Sequence, residues 1–395
     1  MKIIIVCENY YPSLDATSKR MRTFAEGLVS KGHDVQVLAS ETSLVDKPEN
    51  FQLPSNVIYY SVFGNQGEQN PIRRLLNNAS GVVNSYRKSK QIGNCDVVIC
   101  TSPPLLLSLA AMKIAKKKNA KYVFDIRDVW PDIAYEMGSF SKGSIYGKVF
   151  SWIADRSYKN ADLVTVVSPS KLSKVSEKLD SSQQNKLVLI GNGLDLNFLK
   201  NTDSETCLEK YNLIADPPCV YIGKLGFAQG LDVVLDIAKQ RRDKRFLLFG
   251  SGAEEELLQK IILKENLSNV FLCGRISEGE AKTVLMHALC AIVPLKSSSM
   301  KDSVPTKLYE SLGCGCPTLL IARGDSVDVL QESNLGYSAP PEDFKAVLGA
   351  FDKVINVEWS PNQRKNASEC IVRNHSRQAS ALYLEEILVS KFDDC

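Results

Sequence analysis

The sequence lacks several features that would place it in other protein classes. Its 395 residues contain no run of about 18 apolar residues, so we expect no membrane-spanning helix. The opening MKIIIVCENYYP has too short an apolar stretch for a signal peptide. No short-period repeat or low-complexity tract interrupts the chain. The composition therefore predicts an ordinary globular protein.

Metal ligands and disulfide patterns are also scarce. Only three histidines occur, and they are scattered at His33, His287 and His375. Five of the eleven cysteines, Cys7, Cys100, Cys219, Cys273 and Cys290, lie in or beside apolar strand-like runs, where a thiol behaves as a small hydrophobe. Cys314 and Cys316 form a C-x-C pair, which is not the C-x-x-C of zinc or redox sites. We therefore expect no metal site, no cofactor and a reducing, cytoplasmic compartment.

Charge is unevenly distributed along the chain. Residues 1–190 contain 25 Lys and Arg against 17 Asp and Glu, whereas the remainder contains 23 against 28. A basic front half is typical of a domain that meets an anion or an anionic surface. A solvated basic face explains the same counts, and both interpretations stay open.

The chain alternates short apolar strands with amphipathic helices. Strands that are apolar on both faces favour parallel sheets covered by helices. Two successive series predict two doubly wound α/β domains, residues 1–190 and 191–374, with a last helix at about 375–395 returning to the first domain. The predicted strands are Ile3–Cys7, Asp34–Leu38, Asp96–Cys100, Tyr122–Ile126, Leu163–Val167 and Leu187–Ile190, then Cys219–Ile222, Phe246–Phe249, Val270–Cys273, Ala291–Pro294 and Thr318–Ile321.

Two glycine-rich turns follow strands of the second series. Gly223-Lys224-Leu225-Gly226 follows Cys219–Ile222, and Gly250-Ser251-Gly252 follows Phe246–Phe249. Glycines at a strand-to-helix turn let the backbone approach a phosphate, and a helix amino terminus favours negative charge. Plain tight turns are the alternative explanation.

The segment Asp302–Pro317 carries the strongest signal. Pro305 is predicted in the first turn of a helix, where its missing N–H has no partner to lose. Ser303 and Thr306 offer hydroxyls there, and Lys307 adds a cation to an anion-binding helix start. Glu310 lies about one turn further on, where its carboxylate can accept hydrogen bonds from both hydroxyls of a ribose. An ordinary capped helix is the alternative.

Charged residues also follow strands of the first series. Arg127 and Asp128 come directly after Tyr122–Ile126, at the carboxyl end of the strand, where open α/β sheets bind ligands. The loop after the first strand includes Arg20, which could reach an anionic ligand. The alternatives are a mutually satisfied Arg–Asp pair and a solvated arginine.

Together these segments resemble family 4 of the retaining glycosyltransferases. Ala161–Ser168 resembles that family's ADxVxxVS strand, and 190–195 its IPNGVD element. Val220–Leu231 is similar to YVGRL…KGL, and Asp302–Glu310 occupies the E-x7-E window. Arg127–Pro131 matches the RDLWP element of a bacterial polysaccharide-assembly group, which includes enzymes that add N-acetylated amino sugars such as N-acetyl-L-fucosamine.

The resemblance implies a GT-B fold, with two doubly wound Rossmann-like domains facing a cleft. It also implies a UDP-sugar donor, retention at the anomeric carbon and donor binding in the second domain without a metal. Glu310 would hold the ribose, and Lys224, with Lys307 or Arg275, would supply cations where Gln229 replaces a family lysine. The implied donor-binding residues are Gly223, Lys224, Gly226, Gly250, Arg275, Ser303, Val304, Pro305, Thr306, Lys307 and Glu310; the implied catalytic residues are Asp128, Arg127 and Asp302; and the implied loop near the donor contains Asp15, Ala16, Thr17 and Arg20.

The acceptor expected from the resemblance is a lipid-diphosphate-linked saccharide in O-antigen or capsule synthesis, and no nucleic acid partner is expected. A basic group in the first domain could contact an anionic membrane face, although solvated helices explain it equally well. This group comprises Lys113, Lys116, Lys117, Lys118, Lys121, Arg73 and Arg74. Two other functions remain open, namely a nucleotide-sugar epimerase of the same fold and a non-catalytic nucleotide-sugar-binding partner subunit.

Overall fold

The computed structural model describes residues 1–13, 15–45, 47, 51–64, 71–136, 138–202 and 204–392, apart from the side chains of residues 71, 72 and 74. Contacts between the Cα atoms divide the chain into two compact units. Unit 1 comprises Met1–Gly191 and Gln378–Cys395, and unit 2 comprises Asn192–Arg377. The boundaries predicted from the sequence were 190/191 and 374/375.

Unit 1 contains a parallel sheet with the strand order β3-β2-β1-β4-β5-β6-β7. Its strands are β1 Lys2–Val6, β2 Asp34–Ser40, β3 Val57–Tyr60, β4 Val97–Ser102, β5 Lys121–Ile126, β6 Leu163–Val166 and β7 Leu187–Leu189. Its helices are α1 Ala16–Ser30, α2 Pro71–Lys88, α3 Leu107–Lys118, α4 Asp132–Glu136, α5 Ile145–Asn160 and α6 Pro169–Ser176, joined at the end of the chain by α16 Arg377–Phe392.

Unit 2 contains a second parallel sheet, with the order β10-β9-β8-β11-β12-β13. Its strands are β8 Cys219–Ile222, β9 Phe246–Phe249, β10 Val270–Gly274, β11 Cys290–Pro294, β12 Thr318–Ile321 and β13 Gly336–Ala339. Its helices are α7 Leu196–Lys200, α8 Glu205–Lys210, α9 Asp232–Gln240, α10 Glu255–Lys264, α11 Glu278–His287, α12 Thr306–Gly313, α13 Asp325–Ser333, α14 Phe344–Asn356 and α15 Pro361–Asn374.

The two sheets confirm the predicted Rossmann-like architecture. Each predicted strand is present, with ends that differ by at most two residues. The sequence analysis missed β3 and β13, which are edge strands and only partly buried. An edge strand with one free side needs less continuous apolar character, so its signal in the sequence is weaker.

Apolar side chains fill both faces of each sheet. In unit 1, the carboxy-terminal helix α16 covers one face through Ala381, Leu384 and Leu388, which pack with Phe24 of α1. A Cβ atom added at Gly27 would lie 2.8 Å from the Cβ of Ala381, so α1 and α16 need glycine at this close approach. The end of the chain thereby completes the core of unit 1.

Candidate functional site

The loops that follow β8, β9 and β10 lie side by side at one edge of the unit 2 sheet. Because the strands are parallel and adjacent, their carboxyl ends meet at that edge. The first strand of the unit, β8, lies between β9 and β11, so the strand order reverses there. Such a switch point is where open α/β sheets bind ligands. The predicted glycine turns and the start of α12 therefore belong to one edge of one sheet.

Gly223 and Gly250 allow two of these loops to touch. Both have positive φ, +154° and +136°, and a Cβ atom at Gly250 would lie 1.8 Å from the carbonyl oxygen of Gly223. Their N–H groups donate to the carbonyls of Phe249 and Gly274, at 3.0 and 2.7 Å. The two amides therefore continue the sheet and are occupied within it. The predicted approach of a phosphate to this backbone stays a prediction, and the observed contribution of the two glycines is close packing between the loops.

Lys307 lies directly beside this glycine contact. A Cβ atom at Gly223 would be 3.1 Å from Lys307 Nζ, so a side chain there would crowd the ammonium group. Nζ donates to the hydroxyl of Tyr221 at 2.8 Å and to Oε1 of Gln229 at 2.5 Å. Nζ also lies 4.3 Å from the centre of the Tyr221 ring. The side chain is half-buried, and its ammonium group is held in place by neutral partners.

The same surroundings change the acidity of Lys307. Burial lowers the pKa of Lys307 to about 7, although the negative charge of Glu310 opposes that shift. A lysine with a pKa near 7 is only partly protonated at neutral pH. An approaching anion favours the charged form and so raises the pKa of that lysine. Strongly shifted groups of this kind are concentrated at functional sites.

Two further cations lie on the neighbouring loops. Arg275 follows β10 and donates from Nε to Oγ of Ser251 at 2.6 Å, which connects it to the second glycine turn. Lys224 follows Gly223 and is exposed, and the Lys224 carbonyl accepts a hydrogen bond from the hydroxyl of Tyr221 at 2.7 Å. Gly226 closes this turn, with its N–H 3.0 Å from the same carbonyl. Both cations are therefore carried on turns with defined positions.

The segment before α12 differs in part from the prediction. The helix begins at Thr306, and Pro305 precedes it with extended backbone rather than filling its first turn. Pro305 does not cap the helix by a side-chain hydrogen bond. The carbonyl of Pro305 accepts from the N–H of Leu308 at 3.0 Å, which closes the first turn. Thr306 accordingly occupies the first helical position.

The two acidic residues of the E-x7-E window have different environments. Asp302 is buried, with 3% of its surface exposed, and its Oδ1 lies 3.5 Å from Oγ of Ser303. The catalytic role that the resemblance implies for Asp302 stays a prediction for this buried carboxylate. Glu310 is half-buried, as are Ser303, Val304, Pro305 and Thr306. Glu310 therefore keeps the accessibility that ribose binding requires.

In unit 1, Asp128 faces a lysine that the sequence analysis missed. Nζ of Lys171 lies 3.6 Å from Oδ1 of Asp128, and the Lys171 side chain is 4% exposed. Arg127 instead donates to Oγ1 of Thr101 at 3.1 Å and to the carbonyl of Pro103 at 3.0 Å. These contacts lie at the carboxyl ends of β4, β5 and β6, which are neighbours. The start of α6 just after β6 was the available signal for Lys171.

Arg20 corrects another prediction. It is 0% exposed, and its Nη2 and Nε donate to the two carboxylate oxygens of Asp125 at 2.8 and 3.2 Å. It also donates to the carbonyls of Ile190 and Gly191, at 2.9 and 3.0 Å. A buried guanidinium with these partners holds unit 1 together and does not reach a ligand. The prediction assumed a loop position, whereas Arg20 faces inward from α1.

The rest of the predicted first loop forms the start of α1. Asp15 caps the helix by accepting from the N–H groups of Thr17 and Ser18 at 2.8 and 3.1 Å. Ala16 is exposed and Thr17 is buried. A side-chain cap satisfies amide donors that have no partner inside the helix. Asp15, which is half-buried, therefore stabilises the start of the helix, and Ala16 is the most exposed of the three residues.

The predicted basic surface is partly engaged within unit 1. Lys118 donates to the carbonyls of Ile92 and Gly93, both at 2.7 Å, and Lys113 lies 4.5 Å from the ring centre of Tyr86. Lys116 and Lys117 are exposed. The side chain of Arg74 lies outside the described residues. None of the described helices has the length and apolar character needed to cross a bilayer.

Metal ligands do not converge in the described part of the chain. Within those residues, no three or more His, Cys, Asp or Glu side chains form a group that could hold an ion. The charged groups described above at the unit 2 edge are the cations Lys307, Lys224 and Arg275 and the carboxylates of Glu310 and the buried Asp302. Such an arrangement is suited to an anion, and a diphosphate needs this kind of partner.

Comparison with known families and proteins matches both units. The family model described as Glycosyltransferase Family 4 matches residues 17–198, and the one described as Glycosyl transferases group 1 matches residues 209–370. WcaI of Escherichia coli strain K12, named for colanic acid biosynthesis, is 23% identical over 82% of this chain and 83% of its own length. The O-antigen chain mannosyltransferase C of Escherichia coli is 23% identical over 62% of this chain and 66% of its own.

Solved structures agree with these matches at the level of the fold. Sucrose-phosphate synthase from Thermosynechococcus elongatus superposes with a TM-score of 0.80 at 18% identity, covering 100% of both chains. HepE from Anabaena, solved in complex with UDP, gives 0.74 at 13% identity over 99% of this chain and 100% of its own. The chain therefore belongs to the glycosyltransferases that combine a Family 4 domain with a group 1 domain, and its fold is GT-B.

Proposed function

We propose that this glycosyltransferase moves a sugar from a UDP-sugar, held by unit 2, to a lipid-diphosphate-linked saccharide, held by unit 1. The observation that carries the proposal is the half-buried Lys307 ammonium group, fixed beside Gly223 at the switch point of the unit 2 sheet. The transferred sugar is an N-acetylated amino sugar, and the product belongs to a surface polysaccharide such as O-antigen or capsule. The protein works in the cytoplasm, at the inner face of the membrane.

The donor diphosphate is bound by cations and a helix start. Lys307, Lys224 and Arg275 surround the diphosphate. The first N–H groups of α12 are available to donate to it, because N–H groups at a helix start have no partner inside the helix. Glu310 accepts hydrogen bonds from the two ribose hydroxyls. These charges stabilise the leaving diphosphate electrostatically, so no metal ion is required.

The transfer proceeds with retention at the anomeric carbon. The acceptor hydroxyl attacks the anomeric carbon from the face that the diphosphate leaves. The bond from that carbon to the acceptor oxygen forms as the bond from the same carbon to the phosphate oxygen breaks. The hydroxyl proton passes to a phosphate oxygen of the departing UDP. Asp128, which pairs with Lys171, orients the attacking hydroxyl. Arg127 stabilises the loop that carries Asp128 by donating to Oγ1 of Thr101 and to the carbonyl of Pro103.

The relatives support the substrate class in different ways. WcaI is named for colanic acid biosynthesis and a second relative for O-antigen chains, which are both surface polysaccharides. HepE was solved with UDP and with UDP-glucose. Sucrose-phosphate synthase shares the fold and is named for sucrose phosphate, so the fold alone does not select the acceptor.

Incubation with a panel of UDP-sugars tests the function. We expect UDP release when, and only when, a lipid-diphosphate-linked saccharide is present. Interconversion of the UDP-sugar without UDP release would support the epimerase instead. Tight donor binding with neither reaction, across the panel and a set of lipid-linked acceptors, would indicate a non-catalytic partner subunit.

Replacing Glu310 with alanine is expected to weaken UDP binding by about tenfold or more, because charge-assisted hydrogen bonds to the ribose are lost. Calorimetry measures the effect. The matched control is Glu256→Ala on the exposed surface of α10. Removing both ribose hydroxyls from the ligand should weaken binding to the unaltered protein but not to the Glu310 variant. If the unaltered protein and the Glu310→Ala variant bound UDP with equal affinity, Glu310 would not be the residue that holds the ribose.

Replacing Asp128 with asparagine is expected to lower kcat by about 10- to 100-fold, because the attacking hydroxyl loses its alignment. The dissociation constant for UDP should not change, since Asp128 belongs to unit 1. Steady-state kinetics and calorimetry separate the two quantities, with the exposed Glu177→Gln as control. A fully active Asp128→Asn protein would contradict this role.

A further inference from the structure

Helix α5 of unit 1 exposes an apolar stripe. Ile145, Val149 and Trp152 are 81%, 48% and 58% exposed, and Tyr146 beside them is 52% exposed. The spacing i, i+4, i+7 places the first three on one side of a helix. Single exposed apolar residues are ordinary, but a contiguous group that contains Trp and Tyr marks an interaction surface.

The stripe is presented by a well-anchored helix. The opposite side of α5 is buried through Gly147, Ile153, Ala154, Ser157 and Tyr158. At its start, the side chain of Ser144 accepts from the N–H of Gly147 at 3.0 Å, and the Tyr135 hydroxyl donates to the Gly147 carbonyl at 3.2 Å. The exposed side is therefore not a loosely packed part of the core.

Aromatic packing fixes the preceding segment to the same helix. The ring of Phe150 on α5 lies 5.6 Å from that of Trp130 and 5.7 Å from that of Phe140, measured between ring centres. A Cβ atom at Gly147 would lie 2.6 Å from the carbonyl oxygen of Ser141, so the chain before α5 packs tightly onto its first turn. Phe140 and Ser141 of the preceding segment are thus packed against α5.

Positive charge accompanies the apolar stripe. Residues 138–160 contain four basic residues, Lys142, Lys148, Arg156 and Lys159, against one acidic residue, Asp155. All four basic residues are exposed. Arg156 and Lys159 continue the stripe at i+11 and i+14 from Ile145, and the Arg156 guanidinium lies 5.5 Å from the centre of the Trp152 ring. Apolar and aromatic side chains followed by cations are typical of helices that lie in a membrane interface.

The stripe has a definite direction relative to the acceptor residues of unit 1. Helix α5 connects β5 to β6, which are neighbouring parallel strands. Such a helix runs back along the sheet, so its first turns lie towards the carboxyl ends of the strands. Arg127 and Asp128 follow β5 at that edge. The apolar part of the stripe therefore points to the same end of unit 1 as the residues proposed to orient the acceptor.

We propose that this face of α5, defined by Ile145, Tyr146, Val149, Trp152, Arg156 and Lys159, docks on an anionic lipid bilayer. Trp152 and Tyr146 enter the headgroup boundary, where amphipathic rings are favoured. The basic residues contact the anionic headgroups. A second copy of the chain would bring the same excess of cations against itself, whereas anionic lipid complements it. The proposal rests on the proposed function in one respect, since docking on the bilayer would give the enzyme access to its lipid-linked acceptor.

Sedimentation of the full-length protein with vesicles tests this surface. We expect binding to phosphatidylcholine vesicles that contain phosphatidylglycerol, weaker binding to phosphatidylcholine alone, and loss of the difference at high salt. The double variant with Ile145→Ser and Trp152→Ser should have a vesicle partition coefficient about tenfold or more below that of the unaltered protein. Arg156→Gln with Lys159→Gln should remove most of the preference for anionic vesicles. The matched control, Leu257→Ser with Leu263→Ser, alters two exposed apolar residues of α10 in unit 2 and should bind like the unaltered protein.

Three results would overturn the proposal. One is vesicle binding that is the same for the α5 variants and the unaltered protein. Another is no binding to anionic vesicles at all. The third is a dimer, seen by light scattering, that Trp152→Ser dissociates without affecting vesicle binding. UDP affinity is measured in every variant, so a failure of the donor site in the unaltered protein would count against the proposed function and not against this surface.

Discussion

Replacing Arg20 with methionine is expected to lower the free energy of unfolding of unit 1 by about 3–5 kcal/mol, because the carboxylate of Asp125 would be left buried without its counterion. The Asp125 carboxylate also accepts from Oγ1 of Thr165 at 2.7 Å and from Oγ1 of Thr101 at 2.9 Å. These hydroxyls cannot supply the missing charge. The carbonyls of Ile190 and Gly191 would lose their donors as well.

A matched control lies two residues along the same helix. Arg22 pairs with Glu26 at 2.7 Å, and the two side chains are 48% and 50% exposed. Arg22→Met should therefore change stability by about 1 kcal/mol or less. Urea unfolding followed by the fluorescence of Trp130 and Trp152, in a Trp359→Phe background, reports on unit 1. Equal losses for the two arginine variants would refute the structural role of Arg20.

The pH dependence should distinguish the two proteins further. Burial raises the pKa of Asp125, but attraction to Arg20 and hydrogen bonds from Arg20, Thr165 and Thr101 outweigh it and lower the pKa overall. A lowered folded-state pKa stabilises the protein above the unfolded pKa, and this contribution is lost as pH falls through the folded pKa. Without Arg20, burial dominates and the sign reverses, so the variant should gain stability relative to the unaltered protein on acidification.

Replacing Lys307 with methionine is expected to weaken UDP binding by about 10- to 100-fold, which corresponds to losing a hydrogen-bonded cation at the diphosphate. Methionine keeps the length and the apolar stem, so packing beside Gly223 and Tyr221 is largely preserved. Lys260→Met, on the exposed side of α10, is the control for a charge change in the same unit. Calorimetry gives both affinities. An unchanged affinity in Lys307→Met would remove Lys307 from the donor site.

Proton uptake provides a second reading of the same site. Because burial lowers the pKa of Lys307 to about 7, this group is mostly neutral at pH 8. A bound diphosphate favours the charged form, so UDP should take up a proton at that pH. The binding enthalpy should therefore depend on the ionisation enthalpy of the buffer, and UDP affinity should fall as pH rises above 7. The Lys307→Met protein should show neither effect.

Most of the fold could be predicted from local patterns. Continuous apolar runs identified the central strands, and the segment Asp302–Pro317 identified a helix start at the carboxyl edge of the unit 2 sheet. The edge strands β3 and β13 escaped notice although the equally exposed edge strands β7 and β10 were predicted, so partial burial alone does not explain the omission. Pro305 was placed one residue too far into α12, since both positions next to a helix start suit proline's fixed φ.

The sequence by itself determined the two βα series, the glycine turns and the cation and carboxylate of α12, because apolar runs and turn residues are patterns of neighbouring residues in the chain. Tertiary structure decided what the charges do. Arg20 and Asp125 are 105 residues apart in the chain, and only folding buries them together. Lys307 acquires its lowered pKa from burial, and its neutral partners belong to distant parts of the chain, Tyr221 to strand β8 and Gln229 to the loop after it. The function of a charged side chain depends on its solvation and on its partners, and both are properties of the folded chain.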